Sequence, residues 1–245
     1  MSDPAEALAH LRDLRSAGAQ VADEVAGKAL LRGLGIEVPE GRLVAGPDEA
    51  AEAAHALGGA VAVKVVAADL PHKSDAGGVA GPLRLRSEVR AAAERIARPG
   101  GGGLLVERWH EGGVACFAGL ALHSPFGPLI SFGAGGVWVE IMRDVAHRLA
   151  PVSEREATEM VCSIRAAPLL LGGRGRPPVD LPALAAAIAR LSALATDAEA
   201  LELIDELDVN PILARADGPP VALDATAVLR PARERDRPAV AHLTT

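Results

Sequence analysis

Apolar residues recur along the first part of the chain with two spacings, one typical of helices and one typical of strands. A helix is predicted over about 22–34, with these apolar residues on one face: Val25, Ala29, Leu30 and Leu34. Glycines at 33 and 35 end it. The run 60–66, AVAVKVV, is apolar apart from one lysine and predicts a buried strand. Such alternation of helix and strand favours an α/β (α+β) protein.

The other elements follow from the same spacings and from the residues that interrupt them. Strands are predicted at about 42–45, 79–86, 104–106, 114–122, 129–132, 146–150, 201–209, 211–214 and 220–223. Helices are predicted at about 48–57, 87–97 (with Ser87 as N-cap), 153–165 and 181–195. Residues 1–20 predict a short surface helix or a frayed terminus, and the charged, proline-punctuated segment from Arg230 predicts disorder.

The strongest break in the pattern is the glycine run that ends at Gly103, RPGGGG. A short strand and a second glycine-rich turn follow it, so we place the boundary between two lobes there. The expected organisation is an N-terminal extension, a first lobe, a hinge, a second lobe and a tail: 1–20, 21–106, 107–112, 113–229 and 230–245.

Composition narrows the classes of function. The chain has 245 residues and a net charge of −7, and only five of its residues are aromatic (two Trp, three Phe). An acidic chain without stacking platforms is not expected to bind nucleic acid. No run approaches the roughly 20 apolar residues of a membrane span, and the N-terminus lacks a signal segment. The two cysteines, Cys116 and Cys162, are predicted to be buried free thiols, so a cytoplasmic protein is expected.

The segment from Lys64 to Val79, KVVAADLPHKSDAGGV, concentrates polar chemistry. It holds a cation at a strand end, an imidazole, a hydroxyl and two glycines: Lys64, His72, Lys73, Ser74, Gly77 and Gly78. Glycine backbone N–H groups beside a lysine form a phosphate-binding concavity, so the loop predicts a nucleotide phosphate site. Two alternatives stay open. Lys64 could send its head group to water, and His72 could be a loop histidine that bonds only nearby backbone.

A second polar set lies near the C-terminus. The segment ELDVN, 206–210, puts Asp208 and Asn210 on one strand face, and Asp224 ends the next strand. Carboxylate and amide oxygens suit Mg²⁺, although a solvated strand face has the same pattern. Glu107 ends an apolar strand before a glycine turn, and Glu140 follows another glycine turn; either could equally be a surface acid.

These segments, in this order, resemble the ATP-grasp subunit of the ADP-forming acyl-CoA synthetases. The resemblance covers roughly residues 22–228 and rests on VAVKVV, HKSDAGGV, LVER, FGPLISFGAGGVWVEIMRDVAHRLAP, PLLLGGRG, LDVNPIL and VALDA. A more distant similarity is to the succinyl-CoA synthetase beta subunit, in which an asparagine and a later aspartate hold magnesium. Asn210 and Asp224 match that pair here.

The resemblance implies an ATP-grasp fold, with ATP or ADP and Mg²⁺ between two lobes. It implies that Lys64 and the 72–78 loop contact phosphates, and that the hinge residues Glu107, Arg108 and Trp109 face the adenine. Asn210 and Asp224, with Asp208, would hold Mg²⁺, and Glu140 is an alternative ligand. His72 would carry a phosphoryl group between ADP and a partner histidine.

The family places its CoA-binding part in a fused segment or a separate alpha-type subunit. The resemblance therefore implies an acyl-CoA or carboxylate substrate and a hetero-oligomer or homodimer. The chain departs from the family at Ala115, where a glutamate is usual. Two rival hypotheses follow: a stand-alone ATP-grasp carboxylate ligase that works through an acyl phosphate, and a non-catalytic nucleotide-sensing subunit.

Overall fold

The structure is a computed structural model that describes residues 4–67, 77–97, 103–122, 124–136 and 143–231. Within these ranges the helices are α1 Pro4–Ser16, α2 Glu24–Gly33, α3 Pro47–Leu57, α4 Arg86–Ile96, α5 Glu154–Ser163, α6 Ala167–Leu170, α7 Leu181–Ser192 and α8 Ala198–Leu203. The strands are β1 Val21–Ala22, β2 Gly41–Val44, β3 Val61–Val65, β4 Val79–Leu83, β5 Leu104–Arg108, β6 Val114–Ala121, β7 Leu129–Ala134, β8 Val145–Leu149, β9 Ile204–Ala214, β10 Val221–Ala222 and β11 Thr226–Leu229. No helix of the described ranges is long and apolar enough to cross a bilayer.

The strands form two separate sheets. The smaller has the order β2-β5-β3-β4, and the larger has the order β1-β11-β9-β6-β7-β8 with β10 also paired to β9. Neighbouring strands in both sheets run antiparallel. The mixture of helix and antiparallel sheet is the α+β form of the expected fold class.

Each sheet has its own hydrophobic core. The smaller sheet packs against α3 and α4, and Val63, Val106 and Ala93 are completely buried there. The larger sheet packs against α5 and α7, with Phe132, Met160 and Ile188 at its centre. Helices α1 and α2 contribute to the core of the larger sheet. The predicted division into lobes and hinge stays a prediction.

Helix α1 is the short surface helix of the two predicted alternatives, and its inner face is packed into the fold. Its residues Leu8 and Leu11 are buried in the core of the larger sheet, with 3% and 0% of their surface exposed. The strand that follows α1, β1, pairs with β11 at the other end of the chain. The terminal segment is therefore part of the larger sheet's packing.

The prediction of two buried thiols holds only for Cys116, because Cys162 is exposed.

Two further local predictions are wrong. Helix α4 begins at Arg86 with Leu85 as its N-cap, and Ser87 lies inside the helix. The carboxylate of Glu88 accepts hydrogen bonds from the N–H groups of Arg84 and Leu85. It thus caps the start of the helix, where the sequence predicted the hydroxyl of Ser87.

The second concerns the C-terminal strands. Residues 201–203 are helical, and β9 continues without a break through Pro211. The sheet accommodates the proline with a β-bulge. Cys116 pairs with Ile212 and Ala118 pairs with Val209, so Asn210 and Pro211 together face the one residue Phe117. The missing N–H of proline is tolerated at such an irregularity.

We expect Leu11→Ala to lower the free energy of unfolding by about 2–5 kcal/mol, because it leaves a cavity under the larger sheet. Urea denaturation measures this, with Leu171→Ala, at a residue 49% exposed, as the matched control. A loss at Leu11 no larger than at Leu171 would mean that α1 contributes nothing to the core.

Candidate functional site

Four charged side chains meet in the interior, and we name them the ion-pair ring: Glu24, Lys28, Lys64 and Glu107. Glu24 is the first residue of α2 and Lys28 lies one helical turn later. Lys64 and Glu107 lie on the adjacent strands β3 and β5 of the smaller sheet. All four are buried, with Lys64 the most exposed at 8%. The ring thus joins a helix of the larger core to the smaller sheet.

Each lysine of the ring contacts both glutamates. The Nζ of Lys28 lies 2.6 Å from Glu24 Oε1, and 2.6 and 2.8 Å from the two carboxylate oxygens of Glu107. The Nζ of Lys64 lies 2.7 Å from Glu24 Oε1 and 3.0 Å from Glu107 Oε2. Two ammonium groups therefore face two carboxylates, and the buried charges balance.

The two lysines differ in proton affinity. Burial alone would lower the pKa of Lys64, but the carboxylates of Glu24, Glu107 and Asp224 outweigh burial and raise that pKa. Burial and the neighbouring ammonium of Lys64 lower the pKa of Lys28, against the opposing effect of the two glutamates. Lys64 therefore carries its positive charge at neutral pH.

Lys64 also bonds to the larger sheet. Its Nζ donates to the carbonyl oxygen of Leu223 at 2.6 Å. Leu223 lies between β10 and β11, directly before Asp224. The predicted phosphate lysine and the predicted metal ligand Asp224 are thus brought together from different sheets.

The β-bulge of β9 holds Asn210 beside the same segment. The N–H of Leu223 donates to the carbonyl oxygen of Pro211 at 2.9 Å. Asn210 Oδ1 accepts the N–H of Gly136 at 2.9 Å. Asp208 lies two residues earlier, partly buried on the same side of the strand, while Val209 between them is buried in the core. The three predicted metal ligands therefore lie on adjoining segments.

The donor set fits magnesium only as a partial shell. Within the described ranges no three His, Cys, Asp or Glu residues group closely enough to hold a metal ion. The predicted ligands are the carboxylates of Asp208 and Asp224, each of which has other partners in the fold, and the amide oxygen of Asn210, which also accepts the Gly136 N–H. Because Mg²⁺ takes waters and substrate phosphates among its ligands, two carboxylates and an amide oxygen are a donor set that suits it.

The predicted hinge residues are held by the backbone of the smaller sheet. Trp109 N–H donates to the carbonyl oxygen of Ala60 at 2.8 Å. A Cβ added at Gly81 would lie 2.9 Å from two carbon atoms of the Trp109 ring, so the ring packs directly on that glycine. The Arg108 guanidinium donates to the Leu57 carbonyl at 2.7 Å. The carboxylate of Glu107 is engaged by the two lysines of the ring.

The predicted phosphate loop is described only where it ends. The carbonyl oxygen of Gly78 accepts a hydrogen bond from the N–H of Val65 at 2.8 Å. Gly77 has a φ of +69°, a left-handed backbone conformation that favours glycine. The end of the loop is therefore attached to β3, directly after Lys64. His72, Lys73, Ser74 and Glu140 lie outside the described residues.

Two further positions matter for the sequence predictions. Asp144 follows Glu140 by four residues in the sequence, and it is buried. Its carboxylate accepts hydrogen bonds from the N–H groups of Arg165 and Ala166, both at 2.8 Å, and so connects two backbone segments. Ala115 is exposed on β6 and pairs with Leu213. Its methyl group brings no charge to that strand.

Sequence reasoning missed Glu24 and Lys28. The only local signal was an acidic and a basic residue four apart at the start of a predicted helix, which is usually a solvent-exposed pair. Their partner Glu107 is 79 residues from Lys28. No local pattern could have revealed that contact.

Comparison with known proteins extends this description. The model of an ATP-grasp domain matches residues 13–229. Subunit beta of acetate–CoA ligase [ADP-forming] I from Pyrococcus furiosus is 36% identical over 210 residues, which cover 82% of this chain and 89% of that subunit. The 4-hydroxybutyrate–CoA ligase [ADP-forming] of Nitrosopumilus maritimus is also 36% identical, but the chain spans only 29% of its length.

A solved structure is similar over nearly the whole chain. It is an acetyl-coenzyme A synthetase 1 of Ca. Korarchaeum cryptofilum, in complex with coenzyme A and Mg-AMPPCP, with a phosphohistidine segment pointing towards the nucleotide binding site. The TM-score is 0.80 at 35% identity, and the match covers 91% of this chain and all of that chain.

We expect Glu107→Ala to lower the free energy of unfolding by about 3–5 kcal/mol, because it removes a carboxylate shared by two buried ammonium groups. Glu111→Ala is the matched control, since Glu111 is 64% exposed and pairs with Arg84 at the surface. It should cost less than about 1 kcal/mol. Equal losses in chemical denaturation would show that the ring does not stabilise the fold.

Proposed function

The chain belongs to the ATP-grasp family, and from that premise we propose that it is the nucleotide-binding subunit of an ADP-forming acyl-CoA synthetase. The reaction is acyl-CoA + ADP + phosphate = carboxylic acid + CoA + ATP. The subunit's own share is transfer of a phosphoryl group between a phosphohistidine and ADP. Relatives that are similar over most of the chain carry this ligase name.

One contact carries the proposal. The Lys64 Nζ of the smaller sheet lies 2.6 Å from the carbonyl oxygen of Leu223, the residue before Asp224 in the larger sheet. The charged ammonium group of Lys64, on the smaller sheet, therefore lies close to Asp224, a proposed metal ligand next to the larger sheet. A nucleotide needs that combination, because its phosphates are neutralised by a lysine on one side and a divalent cation on the other.

We assign phosphoryl transfer to His72. A neutral ring nitrogen of His72 attacks the γ phosphorus of ATP, the bond to the bridging oxygen breaks, and ADP leaves with that electron pair. In the synthesis direction a β-phosphate oxygen of ADP attacks the phosphohistidine, and the electron pair of the N–P bond returns to the ring. Imidazole suits this role because it is both a good nucleophile and a good leaving group.

The other residues bind and orient. Lys64, Lys73, Ser74 and the backbone at Gly77 and Gly78 hold the phosphates, and the segment Glu107–Trp109 borders the adenine. Asn210, Asp224 and Asp208 are the proposed ligands of Mg²⁺, with Glu140 as an alternative. When bound, the ion neutralises phosphate charge. We propose that the nucleotide lies between the smaller and the larger sheet; the sequence-based bounds of the two lobes, 21–106 and 113–229, stay predictions.

The remaining steps need a CoA-binding part. The chain spans 89% of a relative named subunit beta but only 29% of a single-chain ligase. We therefore propose that an alpha-type subunit binds CoA and the acyl group and presents a second phosphohistidine, within a hetero-oligomer. The phosphohistidine segment of the K. cryptofilum structure, which points towards the nucleotide site, supports this division of labour.

We expect the purified chain to take up acid-labile, alkali-stable label from [γ-³²P]ATP and Mg²⁺, and His72→Ala to lose at least about 99% of it, because the nucleophile is gone. His55→Ala, at an exposed histidine of α3, is the matched control and should label normally.

Label retained in His72→Ala would contradict the assignment of the nucleophile. A wild-type chain that binds ATP but takes up no label would favour the ligase that works through an acyl phosphate. Absence of both binding and label would favour a non-catalytic subunit that binds a partner and no nucleotide, and Ala115 would then be the position to examine first.

We expect Asp224→Asn to raise the Mg²⁺ concentration for half-maximal labelling about tenfold or more, because one anionic ligand becomes neutral. Asp217→Asn is the matched control at an exposed aspartate. A magnesium titration of labelling measures both variants. An unchanged profile in Asp224→Asn would remove Asp224 from the metal site.

A further inference from the structure

The ion-pair ring already engages the ammonium group of Lys64, which has three N–H donors. Its Nζ donates hydrogen bonds to Glu24 Oε1 and to the carbonyl oxygen of Leu223, and it forms an ion pair with Glu107 Oε2 at 3.0 Å. A nucleotide phosphate that binds Lys64 therefore competes with these partners.

If a phosphate displaced Glu24 or Glu107 from Lys64, the displaced carboxylate would need another cation to neutralise its charge. Glu24 and Glu107 are 0% and 2% exposed. A buried carboxylate that loses its cation costs several kcal/mol. A second cation that stays with both glutamates would lower the cost of moving Lys64 from a carboxylate to a phosphate.

Lys28 is placed to be that cation. Its Nζ lies within 2.8 Å of oxygens of both glutamates, and it sits on α2, away from the strand that carries Lys64. Both carboxylates therefore have a cationic partner besides Lys64.

We propose that Glu24 and Lys28 are positioning residues that set how readily Lys64 takes a nucleotide phosphate. Glu24 competes with the phosphate for Lys64, and Lys28 acts as the standing counter-ion that lets both glutamates release it. The inference rests on the proposed function, because it takes the nucleotide phosphate as the ligand of Lys64.

The test compares two substitutions with opposite effects on the ring's charge. Lys28→Met leaves a net charge of −1 around Lys64, and it should weaken Mg-ADP binding about three- to tenfold. Glu24→Gln leaves a net charge of +1 and frees Lys64, and it should tighten Mg-ADP binding by a similar factor. Isothermal titration calorimetry of the full chain measures both dissociation constants, and thermal unfolding confirms that each variant is folded.

Three controls separate charge in the ring from charge elsewhere. Arg155→Met and Glu159→Gln make the same two charge changes in an exposed i, i+4 ion pair on α5, and both should bind Mg-ADP like the wild type. Lys28→Arg keeps the cation and should retain most of the affinity that Lys28→Met loses.

A structural role alone predicts that both ring substitutions weaken binding, and that result would overturn the inference. If Lys28→Met does not fold, Glu24→Gln decides: tighter binding supports the inference, and unchanged or weaker binding overturns it. A wild-type chain that fails to bind Mg-ADP overturns the proposed function and the inference together, whereas binding with the wrong signs overturns the inference alone.

Discussion

A buried charge is stable in a protein only where opposite charges meet it, and the ion-pair ring satisfies that constraint at the place where two sheets come together. Glu24 and Lys28 come from a helix packed in the core of the larger sheet, while Lys64 and Glu107 come from the smaller sheet. Lys64 then reaches the backbone of Leu223. Charge pairing and one hydrogen bond to the backbone therefore link the smaller sheet to elements packed with the larger one.

The β-bulge in β9 is the second device that shapes the cleft. A regular strand would give Asn210 a single partner on β6, but here Asn210 and Pro211 share Phe117. The extra residue turns the strand at the point where its oxygen-bearing side chains stand. The carbonyl of Pro211 then holds Leu223, and with it Asp224, by a bond of 2.9 Å. The bulge therefore lies where the segment that carries Asp224 is attached to the strand that carries Asp208 and Asn210.

Local patterns in the sequence predict the features that depend on neighbouring residues. The strand expected over 60–66 is β3, Val61–Val65, and the two-residue period correctly places Asp208 and Asn210 apart from the buried Val209. Contacts over long separations escape such reasoning, which is why Glu24 and Lys28 were missed. The strands β1 and β11, of two and four residues, are too short to show a period. The sequence of helix α1 predicts a surface helix because its leucines are separated by alanines and charged residues. Tertiary packing nevertheless buries Leu8 and Leu11.

The pairing of β1 with β11 has a consequence for how the chain acquires its shape. Val21 lies opposite Val228, so the larger sheet closes only when nearly the entire polypeptide is present. All strands of the smaller sheet fall between Gly41 and Arg108, so that sheet draws on a continuous stretch. During synthesis the smaller sheet can assemble while the later residues are still being added. The pairing of β1 with β11 spans about 200 residues, so we expect it to form after the local contacts of the smaller sheet.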